Sequence, residues 1–307
     1  MSSPTGPASG LPVRMPRPRQ PGRHRRPEPV VAPEGAPALV LAVPGTPSSA
    51  TRGLAEEVVS IARSELPGLD ARIGYLDGDD DEFVTLSTVL VHAAEERTAR
   101  YEQAVAAGVE VKRPEGPVAV VVPLLAGPDN ALLRRIRQAV MDSRIAAELT
   151  DVLGPHPLLA EALHVRLSEA GLARADRARL FTVATAADGI VLASVGGDEA
   201  VQAAGITGML LAARLAVPVM AAALDEEGSI SSVADQLRGS GSQQLALAPY
   251  LIGPEIDAGL LEEAAKEADC ATAEPLGPYP AIGKLALAKY TTALGIAPQQ
   301  PQSTPSH

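Results

Sequence analysis

Short apolar runs alternate with longer stretches of helical periodicity between residues 38 and 297. The runs at 38–43, 71–76 and 118–123 are rich in Val, Ala and Leu, and each ends at or just before a Pro or an Asp. Continuous apolar runs of this length are typical of strands that are buried on both faces. Strands that alternate with helices predict βαβ units, and therefore a parallel sheet.

The second half of this region repeats the first. The segment PLLAGP at 123–128 returns as PYLIGP at 249–254, and LGPHP at 153–157 returns as LGPYP at 276–280. The two spacings differ by only three residues. The sequence therefore predicts two tandem copies of one α/β unit.

Apolar runs that match those of the first copy predict where the remaining elements lie. They place the strands of the second copy at 179–184, 217–223 and 244–249. A last amphipathic helix is predicted in each copy, at 156–170 and 279–293, because the Gly-Pro turn breaks the chain before it. The first of these helices has one broad apolar face that we expect to dock on the sheet, formed by Leu158, Leu159, Leu163 and Leu167.

The fold class is thus α/β, with two tandem flavodoxin-like domains, each a parallel sheet with helices on both faces. The predicted domains are 38–172 and 173–297. Residues 1–37 hold ten of the 28 prolines and six arginines, and we expect this segment and 298–307 to be disordered tails. The basic N-terminal tail is predicted either to contact an acidic partner or the acidic body of the protein, or to be an extension without a role.

Composition excludes several function classes. Aromatic residues make up 2% of the chain and the net charge is −11, which argues against nucleic acid as a partner. A single cysteine, Cys270, excludes a disulfide framework and a multi-cysteine metal site, and it suits a reducing cytoplasm. No apolar run is long enough to predict a membrane span, so we expect no membrane association.

Ligands of open parallel sheets bind at the carboxyl ends of the strands, which makes six loops candidates for a site. The predicted loops are 44–49, 77–81 and 127–130 in the first copy and 185–189, 225–229 and 253–257 in the second.

The tandem layout, the PLL-x-G segment and the segment LGPHPLLAEALHVRLSEAG resemble the sirohydrochlorin chelatase family over about 38–295. This resemblance implies two chelatase-like domains that bind a tetrapyrrole and insert cobalt or iron into it, a lyase activity of cobalamin or sirohaem biosynthesis. The metal would then be a substrate, and no resident cofactor is expected.

The residues that carry this chemistry in the family are a His-Gly-Ser turn after the first strand and a second His after the third strand. Here the turn reads Pro44, Gly45, Thr46, and Ala131 stands at the second His position, next to Asn130. Neither Pro nor Ala has a side-chain donor atom for a metal. Whether the chain is an enzyme is therefore open: it is predicted to be either a divergent chelatase or a non-catalytic binding or regulatory module on the same scaffold.

Two other residues are weak candidates for metal ligands. Asp77 opens an acidic stretch after the second strand, and His156 follows the Gly-Pro turn. The alternatives are a solvated acidic loop for Asp77 and a helix-start residue for His156.

A substrate site is predicted on small and polar residues of the same loops. Ser or Thr at a helix start leaves backbone N–H groups that suit an anion such as a tetrapyrrole carboxylate, although helix capping explains the same residues. The substrate-binding candidates are Gly45, Thr46, Ser48, Ser49, Gly127 and Asn130.

Overall fold

The computed structural model describes residues 31–113, 115–173, 187–253 and 255–295. Residues 1–30, the predicted tail at 298–307 and the predicted strand at 179–184 lie outside these ranges. Residues 31–37, which the sequence assigned to the N-terminal tail, contact both halves of the body of the protein. The N–H of Ala32 donates to the carbonyl of Pro67 at 2.9 Å, and the hydroxyl of Tyr290 donates to the carbonyl of Pro37 at 2.7 Å.

The first half alternates strands and helices as predicted. Its elements are β1 (Ala38–Val43), α1 (Ser49–Glu65), β2 (Ala71–Tyr75), α2 (Leu86–Ala106), β3 (Ala119–Pro123), α3 (Asn130–Ser143), β4 (Ala147–Leu149) and α4 (Pro157–Glu169). The strands form one parallel sheet in the order β2-β1-β3-β4. The predicted strands at 38–43, 71–76 and 118–123 are confirmed to within one residue at each end.

The second half repeats this topology. Its elements are β5 (Gly189–Ser194), α5 (Asp198–Leu215), β6 (Val219–Ala223), α6 (Ser229–Gly239), β7 (Leu245–Pro249), α7 (Ala258–Glu267), β8 (Ala271–Thr272) and α8 (Pro280–Ala293). The strands pair in parallel in the order β6-β5-β7-β8, the same order as in the first half. The molecule is therefore α/β with two tandem parallel sheets flanked by helices, as the repeat predicted.

The first strand of the second copy was placed wrongly. The strand that pairs with β6 and β7 is β5 at Gly189–Ser194, not the run at 179–184. The apolar run LFTVA at 180–184 resembles the first strand of the first copy, but a second apolar run, GIVLAS, follows it at 189–194 and forms the strand. The loop after the first strand is therefore 195–197, and the predicted loop 185–189 ends at the first residue of β5 instead of following the strand.

Each sheet separates a core of its own from a core that both halves share. Along β1, Leu39 and Leu41 face the shared core, whereas Val40 faces the first half's own core with α2 and α3. Along β5, Leu192 faces the shared core and Val191 faces α6 and α7. Both faces of these strands are apolar because both are covered, which is the condition for a parallel sheet.

The last helix of each half packs on the other half. Helix α4 contacts α5 and β7, and α8 contacts α1, β1 and β3. This exchange differs from the expectation that each helix docks on its own sheet. Arg166 of α4 reinforces it, because its Nε and Nη2 atoms donate to the carbonyl of Leu276 at 3.1 and 2.9 Å. The two halves are thus joined by two crossed helices rather than by the connecting segment alone.

Gly283 allows α8 to approach α1 closely. A Cβ atom at this position would lie 2.6 Å from Cβ of Ile61 and 2.9 Å from the carbonyl oxygen of Val58. We expect Gly283→Ala to lower the free energy of unfolding by about 1–3 kcal/mol, because overpacking forces the helices apart. Gly205→Ala in α5 is the matched control: a Cβ there meets nothing within 4 Å, so its helix propensity should raise stability by up to about 1 kcal/mol. Urea unfolding followed by circular dichroism measures both changes, and equal shifts would contradict the close α1–α8 contact.

None of the helices in the described ranges combines the length and the apolar character needed to cross a lipid bilayer.

Candidate functional site

The loops at the carboxyl ends of the two sheets contact each other directly. The side-chain amide of Asn130, at the start of α3, donates to a carboxylate oxygen of Glu199 in α5 at 3.0 Å. Gly196, after β5, lies so close to the β3–α3 loop that a Cβ there would be 2.5 Å from the carbonyl oxygen of Pro128. Of the predicted binding residues, Asn130 and Gly127 therefore lie at this junction between the halves.

Tyr250 fills the centre of the junction. It follows β7 directly, is 1% exposed, and its ring lies against Gly127, where an added Cβ would be 3.2 Å from the ring. Its hydroxyl accepts a hydrogen bond from the hydroxyl of Thr207 at 3.2 Å, and burial raises the pKa of Tyr250 to about 12. The cavity that remains between the loops has a volume of about 10 Å³, which is close to the space of a single water molecule.

The loop after β1 is organised around the start of α1. Gly45 has a φ of +80°, a backbone conformation that glycine adopts without strain. Ser48 caps the helix: its hydroxyl accepts from the N–H of Thr51 at 3.2 Å, while the Thr51 hydroxyl accepts from the N–H of Ser48 at 2.8 Å. This reciprocal pair is a capping box. Thr46 and Ser49 are exposed, and the predicted anion-binding role of this loop remains a prediction.

The acidic loop after β2 is folded onto itself and its neighbours. Asp77 pairs with Arg135 of α3, and Glu82 pairs with Arg52 of α1 at 2.7 Å. The carboxylate of Asp79 accepts from the N–H groups of Phe83 and Asp81, and these bonds, the one from Phe83 most of all, lower the pKa of Asp79. Asp80 accepts in turn from the N–H of Thr85. Four acidic side chains of this loop therefore have partners within the protein, namely Asp77, Asp79, Asp80 and Glu82.

His156 caps the N-terminus of α4. Its Nδ1 atom accepts from the N–H of Leu158 at 3.1 Å, so this nitrogen is used within the helix cap. Burial, with the charge of Lys289, lowers the pKa of His156 below its ordinary value. The imidazole is therefore neutral near pH 7, and only its Nε2 atom is left for another partner.

The two predicted metal ligands each have a partner within the protein. Asp77 and His156 have different partners, Pro44 is buried and Ala131 is exposed on the first turn of α3. Within the described ranges, no group of three or more His, Cys, Asp or Glu side chains is placed to hold a metal ion.

One residue at the junction was not identified as a candidate from the sequence. Glu255, in the loop after β7, lines the same small cavity as Tyr250 and Asp129. Its carboxylate accepts from the N–H groups of Ile252 and Gly253 at 2.8 and 2.6 Å, and burial raises its pKa to about 7. The only signal in the sequence was an acidic residue two positions after the glycine of PYLIGP. The sequence does not indicate that the side chain of this residue faces the junction between the halves.

No protein-family model matches the chain, and no curated protein matches it. Among solved structures, the chain is similar to DR2241 from Deinococcus radiodurans, a multi-domain protein with structural similarity to chelatases and two additional novel domains. The two are 17% identical with a TM-score of 0.54, and the match covers 83% of this chain and 55% of DR2241. This chain thus spans about half the length of that protein. At this identity the similarity shows a chelatase-like fold.

Two further structures match with lower TM-scores. A periplasmic binding protein from Burkholderia mallei is 14% identical with a TM-score of 0.29, covering 78% of this chain and 60% of that one. A periplasmic ribose ABC transporter protein from Conexibacter woesei is 13% identical with a TM-score of 0.28, covering 86% and 70%.

Proposed function

We propose that this chain is a binding or regulatory module on a chelatase-like scaffold and that it does not itself insert a metal into a tetrapyrrole. The observation that carries the proposal is the direct contact between the loops at the carboxyl ends of the two sheets. Open parallel sheets bind their ligands at these ends. Here Tyr250 occupies the centre of the junction and leaves a cavity of about 10 Å³, far below the roughly 300–1,000 Å³ of ordinary ligand pockets.

The side chains around the junction support the same proposal. Pro44 and Ala131 stand where the chelatase resemblance expects imidazoles, and neither side chain can bind a metal or accept a proton. The carboxylate of Asp77 is paired with Arg135, and one nitrogen of His156 accepts from the N–H of Leu158. The ion pair occupies one carboxylate oxygen of Asp77 and the helix cap occupies Nδ1 of His156, so each side chain has one donor atom engaged within the protein, which makes these two residues poorer ligands than free imidazoles.

Metal insertion into sirohydrochlorin is the second candidate function. The resemblance of the sequence and the chelatase-like fold shared with DR2241 favour it. In that case the two halves would separate to admit the tetrapyrrole, and Asp77 and His156 would be the first residues to consider as ligands of the incoming metal. Fold similarity by itself does not select between the two candidates, because function depends on the site.

An absorbance assay under anaerobic conditions distinguishes them. Purified protein is mixed with sirohydrochlorin, with and without Co²⁺ or Fe²⁺. We expect no insertion above the uncatalysed rate, and a spectral shift without metal would identify the tetrapyrrole as a ligand of the module. Insertion above the uncatalysed rate would overturn the proposal.

Variants of the two candidate ligands make the assay decisive. If the chain inserts metal, Asp77→Asn or His156→Ala should lower the insertion rate at least about tenfold, the usual scale for loss of a positioned catalytic group. If it only binds, the same changes alter ligand affinity at most, since there is no rate to lose. Glu262→Gln, on the exposed surface of α7, is the matched control in both cases.

A further inference from the structure

The first half carries an extension that the second half lacks. Helix α2 has 21 residues, whereas its counterpart α6 has 11. The connection that follows is also longer, since it covers 107–118 before β3 but only 240–244 before β7. The start of this connection folds back on α2, because the N–H of Val109 donates to the carbonyl of Ala104 at 3.0 Å. Extra length in one copy of a repeated unit often forms a binding face.

Two cavities flank the extension. One has a volume of about 320 Å³ and the other of about 440 Å³, and Arg97 and Tyr101 of α2 line both. Ordinary ligand pockets have volumes of roughly 300–1,000 Å³. Each cavity is therefore large enough for a small molecule, in contrast to the cavity of about 10 Å³ at the junction between the halves.

Arg97 lies between the two cavities with a charge that no carboxylate offsets within the described part of the chain. Its Nη1 and Nη2 atoms donate to the carbonyls of Pro117 and Glu115 at 2.6 and 3.1 Å, and its Nε atom is buried without a hydrogen-bond partner among the described residues. Burial, with the nearby charge of Arg100, lowers the pKa of Arg97. Because a half-buried charge needs a partner, this guanidinium group attracts an anion.

The smaller cavity has an excess of positive charge. Arg113 lines it from the connection after α2, opposite Arg97, and Glu102 is its one carboxylate among the described residues. Two positive groups minus one negative group leave a charge of +1. Thr98 and Tyr101 add hydroxyl groups to the same wall. The lining is therefore suited to an oxyanion, since guanidinium groups bind carboxylate and phosphate through two parallel hydrogen bonds.

The larger cavity lacks this excess. Its charged lining consists of three cations and two carboxylates, namely Arg97, Arg100, Lys112, Glu34 and Glu110. Arg100 is already paired with Asp70 at 3.1 Å, so two cations face two carboxylates. The smaller cavity is thus the better candidate for binding an anion.

We propose that the smaller cavity binds a small anionic molecule through a carboxylate or phosphate group held between Arg97 and Arg113. Ala94 and Val118 supply apolar surface for the remainder of the ligand. Val118 directly precedes β3, so the site lies at the amino end of the first sheet, whereas the junction lies at the carboxyl ends. The inference is therefore independent of the proposed function and goes beyond it.

Isothermal titration calorimetry of the full-length protein at low salt tests the site with two probes, pyrophosphate and citrate. We expect saturable binding of at least one probe with a dissociation constant below about 1 mM, because two charge-assisted contacts supply roughly 4 kcal/mol. Binding of pyrophosphate alone would identify the ligand group as phosphate, and binding of citrate alone would identify it as carboxylate. If neither probe binds saturably, the proposal is overturned. The absence of tetrapyrrole and metal keeps this result separate from the insertion assay.

One variant and a matched control locate the binding. Arg113→Gln removes a guanidinium group from an exposed connection and should weaken binding of the probe at least about tenfold. Arg137→Gln, on the exposed face of α3, changes the net charge by the same amount and should bind as the parent does. Equal weakening in both variants would mean unspecific attraction by the charge of the whole protein and would overturn the site. Parent-like affinity of Arg113→Gln would overturn it as well.

Discussion

Removal of α8 should unfold the first half of the chain rather than the second. A protein that ends at residue 278 loses Ile282, Leu285 and Tyr290, which are at most 2% exposed and belong to the core that both halves share. Their helix packs on α1, β1 and β3. Burial of three such side chains contributes roughly 5–9 kcal/mol, which is comparable to the whole stability of a domain. Hydrogen exchange measured by mass spectrometry should therefore show lost protection in α1, β1 and β3.

A peptide added to the truncated protein distinguishes the loss of α8 packing from a general failure of the truncated protein to fold. The segment 279–295 carries α8 and should restore protection in the first half when it is added to the truncated protein. The same peptide with Gly283→Leu is the control, because a larger side chain there collides with Ile61 and the backbone of Val58. Loss of protection confined to β5, β6 and β7 would contradict the exchange of helices.

Tyr250→Ala should be the most destabilising single substitution at the junction. The side chain is buried, its ring lies against Gly127, and its hydroxyl accepts from Thr207. Removal of a buried aromatic ring costs about 3–5 kcal/mol, since the surroundings collapse only in part. Chemical unfolding monitored by circular dichroism measures the loss.

Tyr250→Phe is the companion variant. It keeps the ring and removes only the acceptor of the Thr207 hydroxyl, so we expect a loss of about 1 kcal/mol. A loss of less than 1 kcal/mol for Tyr250→Ala would mean that the junction is not the packed interface that the structure describes. Similar losses for the two variants would mean that the hydrogen bond, rather than the ring, holds the halves together.

The sequence predicted most of the elements because their signals are local. Runs of Val, Leu and Ala that end at Pro predicted β3 and β7, and the Gly-Pro turns predicted the starts of α4 and α8. The error at β5 arose because two apolar runs, at 180–184 and 189–194, lie close together in the sequence. Local periodicity does not show which of two neighbouring apolar runs pairs with β6 and β7.

The candidate site was predictable only in part. Capping by Ser48 and His156 was among the expected alternatives, because Ser and a polar residue before Pro are typical of helix starts. The partner of Asp77 was not predictable, since Arg135 is far away in sequence and reaches it only because α3 packs against α2 in the folded protein. The inward carboxylate of Glu255 was missed for the same reason.

The sequence by itself determined the two parallel α/β units, their internal repeat and the absence of imidazoles at Pro44 and Ala131, since these properties belong to residue identity and periodicity. Only the tertiary structure decided that α4 and α8 are exchanged between the halves, that Tyr250 closes the junction, and that Glu255 titrates near neutrality. Apolar periodicity shows that a helix face is buried but not against which sheet. A carboxyl group acquires an unusual pKa only from the solvent and charges that distant segments remove or supply.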